Sequence, residues 1–393
     1  MIKNMFKEYV MGTYTRTGPV FVKGKGSYLW DEKGEKYLDF FPGWGVGILG
    51  HSHPAIARSL ADQSKTLIHL PNNLFTPNQA LCARALVKAS GMKGAKVFFC
   101  NSGAESIEGA LKLAKAYGNT KGRKEIIAME RSFHGRTMGA LTVTVQGTKQ
   151  KVFKPLMPGV RSVRFGDIES LRRKITSETA GIVLEPIQGE GGVNVPVKQY
   201  LNEVRELCHR HDIVLIFDEV QTGMARTGRM FAHQYFGVTP DVFTLSKGLG
   251  AGFPVGCFIA SAEFSDVLGP GMHASTFGGS PLACSVVLAV LETIKRENVL
   301  RNVREKEKIL YKRLNALKNK VKMIKVVRGV GLMYAVELDR SAKPVYDALM
   351  ERKMITNVTQ DKIMRIMPAL NINDRDFEKG LNLLEEVFLD LDL

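Results

Sequence analysis

The chain has no apolar run long enough to span a bilayer, which argues against an integral membrane protein. Its first residues, Met1-Ile2-Lys3-Asn4-Met5-Phe6-Lys7-Glu8, carry charge where a secretory leader needs an apolar core, so none is expected. Cysteine is scarce: Cys82, Cys100, Cys208, Cys257 and Cys284 are odd in number and lack disulfide or metal-ligand spacing. They read as reduced, mostly buried thiols of a cytoplasmic protein, and no metal site is expected. The formal charge is +16, yet no segment couples a basic run to aromatic residues, so no nucleic-acid partner is expected. Basic and acidic residues are interleaved, as in Arg304-Glu305-Lys306-Glu307-Lys308. That pattern marks solvated helix faces, with attraction of anionic substrates as a side effect. A P-loop and a G-x-S-x-G elbow are absent. The run Gly248-Leu249-Gly250-Ala251-Gly252 lacks the spacing and the following helix of a dinucleotide loop.

What is present is a regular alternation. At 393 residues the chain exceeds one compact core and fits a large domain plus a smaller one. Short apolar runs recur at Lys96 to Cys100, Glu125 to Met129, Gly181 to Glu185, Ile213 to Phe217, Val242 to Leu245 and Gly256 to Ala260. Helical patterns separate several of them, notably 103–117 and 197–211. The spacing predicts an α/β fold with a mostly parallel sheet buried on both faces. Toward the end, a helical pattern over 281–296 leads into a charged helical stretch to about 319. The runs Val326 to Met333 and Ile363 to Met367 then read as strands of a smaller α+β unit. The expected organisation is an N-terminal segment, 1–50, packing with a small C-terminal domain, 281–393, and a large domain at 51–280.

Two of the buried runs deliver a charge at the carboxyl end. Asp218 closes Ile213-Val214-Leu215-Ile216-Phe217-Asp218, and Lys247 follows twenty-nine residues later in Thr244-Leu245-Ser246-Lys247. A lysine there can form a Schiff base, and an aspartate there can pair with a protonated pyridine nitrogen. Those are the protein groups that pyridoxal phosphate chemistry needs most. Asn101-Ser102-Gly103-Ala104-Glu105 follows a strand and opens a helix, with Ser102 as N-cap and Gly103 allowing close backbone approach. Free amides at such a helix start make an anion site. Phe133-His134-Gly135-Arg136 offers a ring to stack on a planar cofactor and a guanidinium fork for a carboxylate. His134 alone reads as structural. Glu185 and Glu190 lie in a glycine-rich loop after a strand; in isolation they read as surface acids, and in a cleft with arginines they can mask a cation.

These segments occur in the order of a known family. With Phe217-Asp218-Glu219-Val220-Gln221-Thr222-Gly223 and Ser246-Lys247-Gly248 in place, the chain resembles the class III aminotransferases, fold type I pyridoxal phosphate enzymes. The resemblance runs from about Thr13 to the C-terminus. Its nearest branch is that of acetylornithine and ornithine aminotransferases, on Gly50-His51-Ser52-His53-Pro54, Glu185 to Gly192, Gly271 to Ala283 and Arg365-Ile366-Met367-Pro368.

The resemblance implies roles. Lys247 is the Schiff-base lysine, and Asp218 pairs with the pyridine nitrogen. Phe133 and Val220 cover the two ring faces, and Gln221 lies near the ring hydroxyl. Ser102, Gly103 and Ala104 hold the phosphate, and Thr276 reaches the phosphate of a neighbouring subunit, which implies a homodimer with shared active sites. Arg136 binds a carboxylate distant from the reacting amine, and Arg365 binds the α-carboxylate of glutamate. Glu190 masks Arg365 when the ω-amino donor is bound, and Tyr14 touches the substrate. The branch usually reads Gly-Ile-Ala-Val where this chain has Gly43-Trp44-Gly45-Val46, so Trp44 is expected to reshape the substrate pocket. The implied reaction moves the terminal amine of N-acetylornithine, or a close relative, to 2-oxoglutarate. The alternatives are an ornithine or 4-aminobutyrate aminotransferase, an aminomutase or racemase on the same fold, and a binding protein without the cofactor.

Overall fold

A computed structural model describes residues 1–392. Its centre is a seven-stranded sheet in the order Lys96–Cys100, Gly256–Ala260, Val242–Leu245, Val214–Asp218, Thr179–Leu184, Glu125–Met129, Val160–Val163. Neighbours run parallel except Gly256–Ala260, which is antiparallel to both strands beside it. The inner strands are apolar on both faces because both faces are covered. Ile127, Met129, Leu215 and Phe217 point into one apolar core, and their neighbours Ile126, Ala128, Val214 and Ile216 into another. The expected α/β architecture with a mostly parallel sheet is the observed one.

The helices Gly103–Asn119 and Lys198–His211 fall where the apolar spacing placed them. Two others, Pro54–Ser64 and Pro77–Ser90, escaped that reading, although each starts with a proline, which suits a first helical turn. The run 326–333, read as one strand, is a hairpin. Ile324–Val330 turns at Gly331, in the left-handed region at φ 61°, and returns as Met333–Leu338. Ile363–Ile366 and Asn357–Thr359 complete that four-stranded sheet. The N-terminal strands Phe21–Lys25, Tyr28–Asp31 and Lys36–Asp39 form another sheet, whose last member pairs in parallel with Met354–Ile355.

Candidate active site

The carboxyl ends of the parallel strands converge on one cavity, as expected for an open α/β sheet. Asp218 ends its strand in register with Thr244 on the next one. Thr244 Oγ1 and the Val220 amide donate to Asp218 Oδ1 at 3.2 and 3.0 Å. His134 Nδ1 lies 2.7 Å from Asp218 Oδ2. Burial disfavours charge on His134, but the adjacent Asp218 carboxylate outweighs it and raises the imidazole pKa. Asp218 is thus locked from three directions, and His134, read from sequence as merely structural, is one of the locks.

Lys247 follows the strand Val242–Leu245 and starts a short 3-10 turn with φ at 42°. A lysine in the left-handed region is uncommon, and such strain concentrates at functional positions. Burial lowers its pKa; Glu190 and Asp218 oppose that shift, and Arg365 adds to it. The shift enlarges the share of free amine, the form a nucleophile needs. At the far end of the cavity, Ser102 caps the helix Gly103–Asn119 by accepting from the Glu105 amide at 3.2 Å. Gly256 pairs with Cys100, and a Cβ on it would stand 2.4 Å from the Ser102 carbonyl oxygen. A side chain there would therefore push the capped turn away from the sheet.

The cavity, about 290 Å³, is lined by Ala104, Phe133, Val220 and Gln221 together with Asp218 and Lys247. Gln221 Oε1 is buried without a partner, which marks a polar atom awaiting one. The amine, the carboxylate, the helix start and the two flanking side chains all meet in this one space. Their donor set fits pyridoxal phosphate.

The substrate-facing wall comes from the other sheet. Arg365, on Ile363–Ile366, is 1% exposed. Its Nε and Nη2 donate to Asn357 Oδ1 at 2.8 and 2.6 Å, across a register that pairs the two residues directly. Its Nη1 stands 2.7 Å from Glu190 Oε1, close enough for an ion pair but too poorly aligned for a good hydrogen bond. Burial lowers the Arg365 pKa while Glu190 resists. The guanidinium also lies 4.8 Å from the Phe41 ring centroid. The loop acids are therefore not surface acids. Glu190 faces Arg365. Glu185 is buried and accepts from the Phe133 and Gly189 amides at 2.9 and 3.0 Å. Burial pushes the Glu185 pKa up to about 7, partly countered by His134.

Arg136 sits at the mouth, with its guanidinium carbon 5.5 Å from the Phe133 ring centroid. Lys149, which no motif singled out, places its ammonium 4.8 Å from the same ring. Ser102, next to Gly103, and Arg365, paired with Glu190, are not in the lining itself, and three further expected residues lie apart from it. Thr276 belongs to a separate hollow beside Asn101 and Glu105. Tyr14 is exposed in a groove of the N-terminal segment, beside Arg16. Trp44 is half-exposed with φ 58°, and its carbonyl accepts from Gln221 Nε2 at 3.1 Å, so it reaches the cavity through Gln221.

Sequence reasoning missed Thr244, Asn357 and Lys149. Thr244 had a signal, since it precedes Lys247 on a strand that must neighbour Asp218. Asn357 and Lys149 had none, because a three-residue strand and a four-residue helix are too short to carry a periodic pattern.

Comparison with known proteins agrees with this geometry. The aminotransferase class-III family model matches residues 12–388. The acetylornithine aminotransferase of Clostridium acetobutylicum is 43% identical over 386 residues, covering 97% of this chain and 99% of its own. That of Methanocaldococcus jannaschii is 44% identical over 388 residues, 98% of this chain and 97% of its own. Among solved structures, the ornithine aminotransferase of Toxoplasma gondii superposes with a TM-score of 0.94 at 32% identity, covering 99% of this chain and 94% of that one. The acetylornithine aminotransferase of Elizabethkingia anophelis gives 0.88 at 30% identity, covering 99% and 98%. A fold, a cavity and a family match over nearly the whole length point the same way: the chain belongs to the class III aminotransferases and is a pyridoxal phosphate enzyme.

Proposed function

We propose that the enzyme moves the terminal amine of N-acetylornithine, or a close relative, to 2-oxoglutarate, giving a semialdehyde and glutamate. The observation that carries this reading is the Glu190–Arg365 pair facing Lys247. An enzyme that takes both an ω-amino donor and glutamate must expose a carboxylate-binding arginine in one half-reaction and mask it in the other. A buried arginine left without a partner is costly, so Glu190 covers it when no substrate carboxylate does. An aminomutase has no need of that pair.

When bound, pyridoxal phosphate supplies an electron sink for the carbon that bears the reacting amine. Asp218, oriented by His134 and Thr244, would hold the proton on the pyridine nitrogen. Lys247 Nζ would anchor the cofactor and carry the proton taken from the substrate carbon. Ser102, Gly103 and Ala104 would hold the phosphate, and Phe133 and Val220 would flank the ring. Arg136 holds the carboxylate far from the reacting amine.

In this reading residues 51–280 form the large, cofactor-binding domain, and the N-terminal segment 1–50 packs with the small domain 281–393. The enzyme acts in the cytoplasm as a homodimer. Phe277 is 63% exposed and Phe75 fully so, beside Thr276, an apolar surface suited to a second copy that would receive Thr276 at its phosphate. Among the described residues no helix is long and apolar enough to cross a membrane.

An ornithine aminotransferase is the second reading, favoured by the Toxoplasma gondii structure. The ratio of kcat/KM for N-acetylornithine to that for ornithine, with 2-oxoglutarate, decides between them. We expect the acylated donor to win by about a hundredfold, since a pocket built around one polar end rejects a mismatched one. A preference for ornithine would overturn the proposal.

A further inference from the structure

The small sheet turns two arginines toward one loop. Arg328, on Ile324–Val330, pairs with Ala335, and Ala335 pairs with Arg365 on the next strand. Directly paired residues share a face of the sheet, so the two arginines flank Ala335 in one row. Both reach the loop Gly189–Val193, which carries Glu190. Arg365 meets the Glu190 carboxylate at 2.7 Å. Arg328 takes the main chain instead. Its Nε donates to the Gly192 and Val193 carbonyls at 3.0 and 3.2 Å, and its Nη2 donates to the Gly192 carbonyl at 2.7 Å. Its Nη1 donates to Glu337 Oε2 at 2.5 Å, so the fork is itself braced from the strand Met333–Leu338.

The loop has a conformation that needs such a grip. Val193 is fully buried and lies in the left-handed region at φ 54°. For a β-branched residue that is an outlier, and it persists only where the surroundings over-determine it. A Cβ on Gly192 would stand 2.6 Å from Ile363 Cδ1 and 3.1 Å from Arg328 Nη2, so the loop lies hard against the small sheet. Thr359 Oγ1 donates to the Glu190 carbonyl at 2.8 Å. Gln188 and Asn194 exchange backbone hydrogen bonds at 3.1 and 3.0 Å and close the base of the loop. The main chain at and beyond Glu190 is thus held by the sheet that carries Arg365, and the Glu190 carboxylate is the part left to move. A contact made from a loop already fixed in place costs less ordering than one made from a loose loop.

We infer that Arg328 is a positioning residue for substrate exchange: by gripping the Gly192 and Val193 carbonyls it holds Glu190 over Arg365, and so sets how strongly a dicarboxylate must compete to enter. The inference rests on the proposed masking of Arg365 by Glu190, and not on which ω-amino donor is used. Without the Arg328 fork, Val193 relaxes, Glu190 covers Arg365 less of the time, and the arginine is freer to take a substrate carboxylate.

The test is the affinity of the cofactor-loaded enzyme for glutarate, a five-carbon dicarboxylate with no amine or keto group to react, measured by calorimetry. Arg328→Met is expected to bind glutarate about three- to tenfold more tightly than the wild type, because a larger fraction of the protein is in the unmasked, binding-competent state. A merely structural role predicts the opposite sign, since a damaged site binds less well. Arg328→Lys keeps the charge but has no fork to span two carbonyls, so it should tighten binding by less, and it carries the test where Arg328→Met does not fold. Glu190→Gln should also tighten binding, and in that background Arg328→Met should add nothing, because the two changes act through one contact. Tightening in Glu190→Gln with unchanged or weaker binding in the Arg328 variants overturns the inference alone. An Arg328→Met effect of equal size in both backgrounds overturns it as well. Unchanged affinity in Glu190→Gln overturns the proposed masking, and this inference with it.

Discussion

Asp218 and Arg365 are both buried charged groups facing the same cavity, but they are held by different means. The partners of Asp218 are Val220 two residues on, Thr244 on the adjoining strand and His134 at 2.7 Å. All three belong to the seven-stranded sheet and its loops, and none has a reason to leave. Arg365 is fixed on one side by Asn357, its register neighbour, and on the other by Glu190, which comes from a loop after the strand Thr179–Leu184. Glu190 is close yet misaligned. The comparison separates a preorganised end of the cavity from a switchable one. The first suits chemistry common to both half-reactions, which gains from dipoles that need not reorganise. The second suits a site that must present two faces to two substrates.

The largest effect that would break this comparison is at Asp218. Asp218→Asn keeps the size but removes the charge, and we expect kcat to fall by about 10²- to 10³-fold, the typical cost of deleting one preorganised electrostatic partner. The fall should be the same in both half-reactions, each followed as a single turnover by the cofactor's absorbance. A loss confined to one half-reaction would mean that Asp218 is part of the switch.

A smaller and selective loss is expected at the other end. Asn357→Ala removes two hydrogen bonds to the Arg365 guanidinium. Hydrogen bonds to charged groups contribute about 1.5–3 kcal/mol, so kcat/KM for glutamate should fall by roughly ten- to a hundredfold. The ω-amino donor half-reaction should suffer less, because Arg365 is masked there. Equal losses in both would show that Asn357 supports the fold of the strand pair and has no bias toward one substrate.

The same division explains what the sequence disclosed. Asp218, Lys247 and the Ser102-Gly103-Ala104 turn were legible because each sits at a fixed offset from a buried strand, and hydrophobic runs reveal strand ends. The sheet itself was legible for the same reason, down to the bounds of Lys96–Cys100 and Glu125–Met129. Asn357 was not, since its contact depends on the register of a three-residue strand that carries no periodic signal. Lys149 was not, since its four-residue helix is placed by glutamine side chains reaching carbonyls eight to fourteen residues back, a contact no sequence pattern marks. His134 was visible and read as structural, but its partner was not, because a lone histidine gives no clue that a carboxylate eighty-four residues later will meet it.

Glu185 sharpens the comparison from a third position, behind Phe133 and between the two ends. It is buried, its two oxygens each accept a backbone amide, and burial lifts its pKa from 4.5 to about 7. A carboxyl whose folded pKa is raised stabilises the fold fully below its unfolded value. That contribution is lost as pH rises through the folded value. Wild-type stability should therefore drop between about pH 4.5 and pH 7 on account of this group, by roughly 3 kcal/mol at most. Glu185→Gln cannot ionise. It should lie close to wild type at pH 5, where the wild-type carboxyl is also neutral, and gain on it toward pH 8, where only wild type must hold a buried charge. Urea unfolding of both proteins across that range reads the effect directly. Stability curves that stay parallel from pH 5 to pH 8 would show that the two amides and His134 already keep Glu185 ionised. Glu185 would then join Asp218 as a fixed charge of the preorganised end.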